Sequence, residues 1–88
     1  MHGLWAGDGP STFRWTFDLD ETVHVLEGQV QVDYLGHRFT LSPGEVAHFR
    51  AGTQAVWHVP QYLKKAYVLH DPGRVVRWWR QHITAELR

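Results

Sequence analysis

Residues that favour turns recur at an even spacing of eight along the middle of the chain, as Gly28, Gly36, Gly44, Gly52 and Pro60. Several stand in turn-like contexts, such as Ser-Pro-Gly-Glu and Arg-Ala-Gly-Thr. Short strands bounded by turn residues every eight to twelve residues or so are typical of an all-β sandwich or barrel. The intervening segments are too dissimilar for a sequence repeat, so we interpret the spacing as hairpin geometry and predict an all-β fold.

The segments between these turns alternate apolar and polar side chains. Trp15 and Phe17 alternate with polar neighbours, and so do Val30 and Val32. This period of two predicts antiparallel sheets with one buried face. The predicted strands are 13–17, 22–27, 30–34, 37–41, 46–50, 55–59 and 63–69. Residues 3–12 contain Gly, Asp, Pro and Ser, and we predict an irregular lead-in there.

The segment 20–32 is predicted to contain two strands that reverse direction at Glu27-Gly28. Gly28 suits a tight reversal because a residue without Cβ adopts positive φ at little cost. In the first strand Glu21 shares a face with Val23 and Val25. A carboxylate on that face is either functional, paired with a nearby cation such as Arg14, or exposed at the end of its strand.

Composition excludes several classes of function. The chain has 88 residues, no cysteine, and nine basic residues against nine acidic ones. One small domain without disulfides is expected, with no net charge to attract nucleic acid or a membrane surface. Its apolar runs are far shorter than the roughly 20 residues of a membrane span, and its start does not have the pattern of a signal peptide. We therefore expect a cytoplasmic protein.

The chain changes character after residue 70. Asp71 and Pro72 suit the first positions of a helix, and apolar residues then follow at helical spacing. The stripe consists of Val76, Trp79, Ile83 and Leu87. We predict a barrel over 1–70 and an amphipathic C-terminal helix over 71–88 that packs on the barrel or on a second subunit. Because Trp78 and Trp79 cannot both face one core, one of them is expected to meet another surface.

Several motifs occur in an order that resembles a known superfamily. They are Phe13-Arg14-Trp15-Thr16-Phe17, Asp20-Glu21, Val25-Leu26-Glu27-Gly28, Ser42-Pro43-Gly44-Glu45, Ala51-Gly52-Thr53, Trp57, and Lys65-Ala66-Tyr67-Val68-Leu69. Over residues 4–69 the chain resembles the cupins, and more specifically the small single-domain cupins grouped with ureidoglycine aminohydrolase. The resemblance implies a small antiparallel jelly-roll barrel of about six to eight strands, usually a homodimer, with a ligand in the barrel mouth.

The resemblance also implies where a metal would lie. The superfamily takes His and Glu ligands from two motifs, and here these positions fall on Trp15, Phe17, Glu21 and Ala55. Glu21 alone has a side chain that can bind a metal, so we expect no cofactor. The alternative is a divalent transition metal held by Glu21 with His48, the one histidine that we predict to point inward beside it. The variant ligand set of ureidoglycine aminohydrolase is absent as well, so its reaction is not implied.

We therefore predict a small organic ligand in the barrel, with Glu21 as its polar anchor. The predicted lining is Trp15, Phe17, Glu21, Phe49, Trp57 and Tyr67, although aromatic residues in small barrels often form plain core. Burial among aromatic rings would also suit Glu21 to general acid–base chemistry. The alternatives are a small hydrolase or isomerase assisted by Glu21 or by a metal, and a structural or regulatory dimerisation module.

Overall fold

The computed structural model describes residues 1–70, which form eight β-strands. In chain order they are β1 (His2–Asp8), β2 (Ser11–Thr16), β3 (Asp20–Gly28), β4 (Val30–Tyr34), β5 (His37–Leu41), β6 (Val46–Phe49), β7 (Gln54–Val59) and β8 (Tyr62–His70). The all-β prediction is confirmed for these residues. The helix predicted over 71–88 lies outside the described residues, so the division of the chain at residue 70 stays a prediction. No helix in the described part could span a membrane.

The strands form two four-stranded antiparallel sheets. Their orders are β1-β8-β3-β6 and β2-β7-β4-β5. Among residues 1–70, β4 and β5 are the one consecutive pair that forms a hairpin, through a turn at Leu35 and Gly36, both with positive φ. At every other turn the chain crosses to the opposite sheet. This is the jelly-roll arrangement, in which two sheets face each other across one core.

The strands predicted on either side of Gly28 are present as β3 and β4, but they do not pair with each other as a hairpin would. β3 pairs with β6 and β8, whereas β4 pairs with β5 and β7, so Gly28 carries the chain from one sheet to the other. Its φ is +77°, and a Cβ there would collide with the carbonyl oxygen of Tyr62 on β8. Glycine is therefore required by both the backbone conformation and the close approach of β8.

The irregular lead-in predicted over 3–12 is wrong, because β1 and the start of β2 lie there. β1 pairs with β8 along its whole length, with Gly3 opposite Tyr67 and Trp5 opposite Lys65. Glycines disfavour strands in general. Here, however, a Cβ on Gly3 would lie 2.6 Å from the hydroxyl of Tyr67, and one on Gly7 would lie 2.6 Å from the Trp5 ring. The glycines leave room for these aromatic side chains.

The core lies between the two sheets, where the apolar side chains of the alternating strands meet. Its buried members are Phe17, Val23, Val25, Val30, Val32, Leu41, Phe49, Ala55, Trp57, Val59 and Leu63. Phe17 and Phe49 stack with ring centroids 4.7 Å apart, and Tyr34 meets Phe49 edge-on at 4.9 Å. A fully buried side chain of this size contributes about 1.5–3 kcal/mol to folding, so the aromatic residues supply much of what holds so short a chain together.

Candidate ligand-binding site

A cavity of about 330 Å³ opens between the sheets beside this core. Side chains from both sheets line it, and most of them are apolar. They are Trp5, Phe13, Trp15, Thr16, Phe17, Asp18, Leu19, Glu21, Trp57, Leu63, Lys65, Tyr67 and Leu69. Pockets for small ligands usually have about this size or more, and they combine apolar walls with a few polar groups. The cavity therefore has the dimensions and composition of a small-molecule site.

Glu21 lies on the cavity wall with only 5% of its surface exposed. It is held between two neighbouring strands, opposite Phe49 on β6 and Leu69 on β8. Val23 and Val25 are fully buried on the same face, as the period of two predicts. Of the alternatives drawn from the sequence, an exposed carboxylate at a strand end is therefore wrong. A carboxylate this buried needs a partner.

That partner is Lys65 on β8. Its ammonium nitrogen donates a hydrogen bond to Oε2 of Glu21 over 3.3 Å, and 12% of the Lys65 side chain is exposed. Arg14, which the sequence suggested as a cation for Glu21, is exposed on β2 in the other sheet. The ion pair is thus buried on the cavity wall, and it joins two adjacent strands of one sheet.

Aromatic rings surround the Lys65 ammonium. Its nitrogen lies 4.6 Å from the ring centroid of Trp57, 5.7 Å from that of Trp5 and 5.8 Å from that of Tyr67. These distances fall within the range of cation–π attraction. Burial lowers the pKa of Lys65, and the charge and hydrogen bond of Glu21 offset part of that effect. The amine is therefore easier to deprotonate than an ordinary lysine.

The structure brings together five of the six side chains that the sequence predicted to line the cavity. Phe17, Glu21, Trp57 and Tyr67 lie on its wall together with Trp15, which is about half exposed. The sixth residue, Phe49, is 1% exposed and packs in the core behind Phe17 without reaching the cavity.

Trp5 and Lys65 are among the lining side chains that the sequence-based list omitted. Trp5 was missed because β1 was not predicted. Lys65 had a usable signal, since it shares strand parity with Leu63, Tyr67 and Leu69, all of which line the cavity. A lysine flanked by apolar residues on the inner face of a strand indicates a buried cation that needs a partner.

His48 does not point toward Glu21. Phe49 is the residue of β6 that lies opposite Glu21, and His48 lies opposite Thr22 on the outer face of the sheet. Its Nδ1 is 2.7 Å from Oγ1 of Thr22, which is also 2.9 Å from Nε2 of His70. This contradicts the predicted inward partnership of His48 with Glu21.

The residues at the cupin metal positions do not fit a metal ion. Glu21 is hydrogen-bonded to the Lys65 ammonium, whose positive charge opposes a cation there. Trp15, Phe17 and Ala55 have no side chain that can serve as a ligand. Within residues 1–70 no group of three or more His, Asp or Glu side chains could hold a metal. These four positions therefore do not form a set of metal ligands.

The cavity between two four-stranded sheets has the architecture of a cupin, and comparison with known proteins specifies the family. The model of the EutQ-like cupin domain matches residues 3–67. This chain belongs to that family. The closer resemblance to ureidoglycine aminohydrolase stays a prediction.

Relatives of known sequence or structure agree with this assignment. The chain is 30% identical over 60 residues to a Clostridioides difficile protein named acetate kinase EutQ, covering 68% of this chain and 38% of that protein. The structure of C. difficile EutQ superimposes with a TM-score of 0.72 at 27% identity, covering 81% of this chain and 56% of that one. The structure of a DUF861 family protein of Thermotoga maritima superimposes with a TM-score of 0.71 at 30% identity, covering 77% of each chain. The chain thus spans less than half the length of the curated relative.

Proposed function

We propose that the protein binds a small organic molecule in the cavity between the sheets, with Glu21 and Lys65 as its two polar anchors. The observation that carries this proposal is the buried ion pair on the wall of a mostly apolar cavity. A buried ion pair is often no more stabilising than apolar residues of the same volume. Its position at the cavity therefore suggests a role in binding.

The lining favours one kind of ligand. Aromatic rings on both sheets suit a flat, apolar body, which would stack against them. The ammonium of Lys65 is a hydrogen-bond donor and the carboxylate of Glu21 is an acceptor. A ligand with a single polar group at one end, such as a hydroxyl or a carbonyl, could engage one or both. We therefore expect a small aromatic or aliphatic molecule with one polar head.

Trp57, which lines the cavity, also has a polar atom that is unpaired within residues 1–70. Its indole nitrogen is buried and has no hydrogen-bond partner within the described residues. An unpaired buried donor costs about 1–3 kcal/mol, and native structures retain few of them. This nitrogen is sealed from the cavity, so a ligand acceptor would reach it only if the Trp57 side chain moved.

The acetate kinase activity in the name of the C. difficile relative refers to the whole of that protein, of which 38% is matched here. We do not extend it to this chain. The homodimer that the cupin resemblance implies is a separate proposal, which sedimentation at several protein concentrations would test.

The test of ligand binding is a two-dimensional NMR titration of uniformly ¹⁵N-labelled protein with benzyl alcohol, benzamide and benzoate. We expect amide shifts on β3, β7 and β8 that saturate with at least one fragment and weaken strongly in Glu21→Gln. Lys64→Met is the matched control, because Lys64 lies next to Lys65 but on the outer face of the sheet. Shifts confined to the outer face, or no saturable shift with any fragment, would contradict the proposal.

A further inference from the structure

The chain has two lysines, Lys64 and Lys65, and they lie on opposite faces of β8. Lys65 is on the inner face, opposite Trp5 on β1 and Val25 on β3. Lys64 is on the outer face, opposite Ala6 and Glu27. Adjacent residues of one strand thus place one amine in the cavity and the other outside it. The two amines have the same intrinsic chemistry, so any difference between them comes from their surroundings.

The surroundings of Lys65 suit a nucleophilic amine. An ammonium has no lone pair, so attack on a carbonyl carbon requires the neutral form. Burial lowers the pKa of Lys65 and so raises the share of the neutral form, although the Glu21 carboxylate and the cation–π contacts favour the ammonium. Lysines activated by desolvation in an apolar pocket form Schiff bases with carbonyl compounds. The cavity of about 330 Å³ beside the amine leaves room for such a molecule.

Glu21 is placed to carry the protons of this reaction. Its Oε2 already accepts a hydrogen bond from Lys65 Nζ at 3.3 Å, so a proton can pass between the two groups without any rearrangement. This separation of Nζ and Oε2 is slightly longer than the optimum between a general base and the atom whose proton it removes. Catalytic hydrogen bonds are commonly longer in the absence of ligand. The pair therefore combines a nucleophile with an adjacent acid–base group.

We propose that Lys65 forms a reversible imine with a small aldehyde or ketone bound in the cavity, with Glu21 as the proton carrier. This inference rests on the proposed function, because the carbonyl compound must first occupy the cavity. It goes further by naming the ligand class, carbonyl compounds with an apolar body, and by assigning a covalent bond to Lys65.

The proposed steps balance without any oxidant or reductant. Glu21 takes a proton from the Lys65 ammonium, and the neutral nitrogen attacks the carbonyl carbon, so that an N–C bond forms and the carbonyl electron pair moves to oxygen. Glu21 returns its proton to that oxygen and then takes a second proton from nitrogen, which leaves a carbinolamine. The C–O bond breaks as the C=N bond forms, and Glu21 gives the proton back to the departing oxygen. The products are a protonated imine, water and the Glu21 carboxylate.

Reductive trapping of the intact protein tests this proposal. The protein is incubated with benzaldehyde, whose flat ring suits the aromatic walls, and is then treated with sodium borohydride, which converts an imine into a stable secondary amine. Mass spectrometry of the intact chain and of its peptides counts and locates the added benzyl groups. Lys64 is the internal control within the same molecule, and label on the terminal amine of Met1 is counted separately, because α-amino groups are ordinarily less basic than lysine side chains.

We expect Lys65 to be labelled in preference to Lys64. Well below the pKa of a lysine amine, each unit by which burial lowers the pKa of Lys65 gives about tenfold more neutral amine. Loss of the proton carrier in Glu21→Gln is expected to slow modification of Lys65 about a hundredfold, the low end of what a positioned acid–base group contributes. Lys64→Arg should leave the labelling unchanged, and Lys65→Arg should abolish it.

Benzyl alcohol separates failure of the imine from failure of binding, because it has the same ring but no carbonyl group. Cavity shifts with benzyl alcohol together with labelling that shows no preference for Lys65 would overturn the imine and leave the binding proposal standing. Absence of both the cavity shifts and the Lys65 label would overturn both proposals. Labelling of Lys65 that proceeds equally fast in Glu21→Gln would overturn the role of Glu21 as proton carrier.

Discussion

Lys65 and Glu21 form an ion pair although they are not neighbours in the register of the sheet. Lys65 lies opposite Val25, whereas Glu21 lies opposite Leu69. The side chains lean along their strands until Nζ and Oε2 are 3.3 Å apart. Each charge is desolvated by the aromatic wall of the cavity and depends on the other for compensation.

The first prediction concerns the stability of this pair. Lys65→Met leaves a buried carboxylate without its cation, and we expect the free energy of unfolding to fall by about 3 kcal/mol, the low end for breaking a buried pair because the cavity is open to water. Glu21→Gln/Lys65→Met removes both charges and should cost less than the two single substitutions together. Urea denaturation at neutral pH measures the free energy of unfolding of the native protein, the two single variants and the double variant.

Lys64→Met is the control for this cycle, and it should change stability by no more than about 0.5 kcal/mol, as is usual for substitutions outside the core. If the effects of Glu21→Gln and Lys65→Met were simply additive, the two side chains would not be coupled and the role of the ion pair would have to be rejected.

The second prediction concerns metals. Because Lys65 occupies the position from which a cation would approach Glu21, we expect Mn²⁺, Ni²⁺ or Zn²⁺ to raise the melting temperature no more in the native protein than in Glu21→Gln. Elemental analysis of untagged protein and thermal unfolding with each metal check this. Near-stoichiometric metal that disappears in Glu21→Gln would show that the ion pair opens to admit a metal.

The third prediction concerns His48 on the outer face. Burial and the charge of His70 lower the pKa of His48 below 6.5. Because the folded protein then binds this proton less tightly than the unfolded chain, the free energy of unfolding falls as the pH drops below about 6.5 and is not affected above it. His48→Gln should make this part of the pH profile flatter.

Urea denaturation at a series of pH values between about 5 and 8, the range in which histidine titrates, measures the profile. His24→Gln is the matched control, because His24 is exposed on the same outer face. A slope that is the same in His48→Gln and in the native protein would show that another group is responsible.

Much of the fold could be predicted from the sequence because it depends on local patterns. The strands 30–34 and 37–41 agree with β4 and β5 at both ends, since alternation and the Leu35-Gly36 turn define them without help from distant residues. β1 could not be predicted in this way. Its glycines disfavour a strand locally, and the reason for them, space for Tyr67 and Trp5, exists only after β8 has paired with β1.

The candidate site could also be predicted only in part from local sequence patterns. Strand parity placed Glu21 among buried valines, so its inward position was predictable. The partner of Glu21 was not predictable, because its contact with Lys65 depends on how the two side chains lean along strands β3 and β8. His48 was misplaced because Phe49, the next residue of the same strand, was also predicted to face the cavity, and strand parity lets only one of the two point inward. The register of β6 with β3 decides between them, because it sets Phe49 opposite Glu21.

The last prediction compares two glycines with nearly the same backbone conformation. Gly28 and Gly36 have φ values of +77° and +80°. A Cβ on Gly36 would meet nothing within 4 Å, so Gly36→Ala should cost only the strain of a left-handed residue, about 1–2 kcal/mol. A Cβ on Gly28 would collide with the backbone carbonyl of Tyr62, which cannot rotate away as a side chain would.

We therefore expect Gly28→Ala to lower the free energy of unfolding more than Gly36→Ala does. The expected difference is about 1–3 kcal/mol, the usual cost of forcing extra atoms into a packed site. Because Tyr62 begins the strand that contains Lys65, Gly28→Ala should also displace β8 and weaken ligand binding in the cavity. Urea denaturation and the NMR titration measure the two effects. Equal losses of stability in both variants would mean that the close approach of β8 does not constrain Gly28.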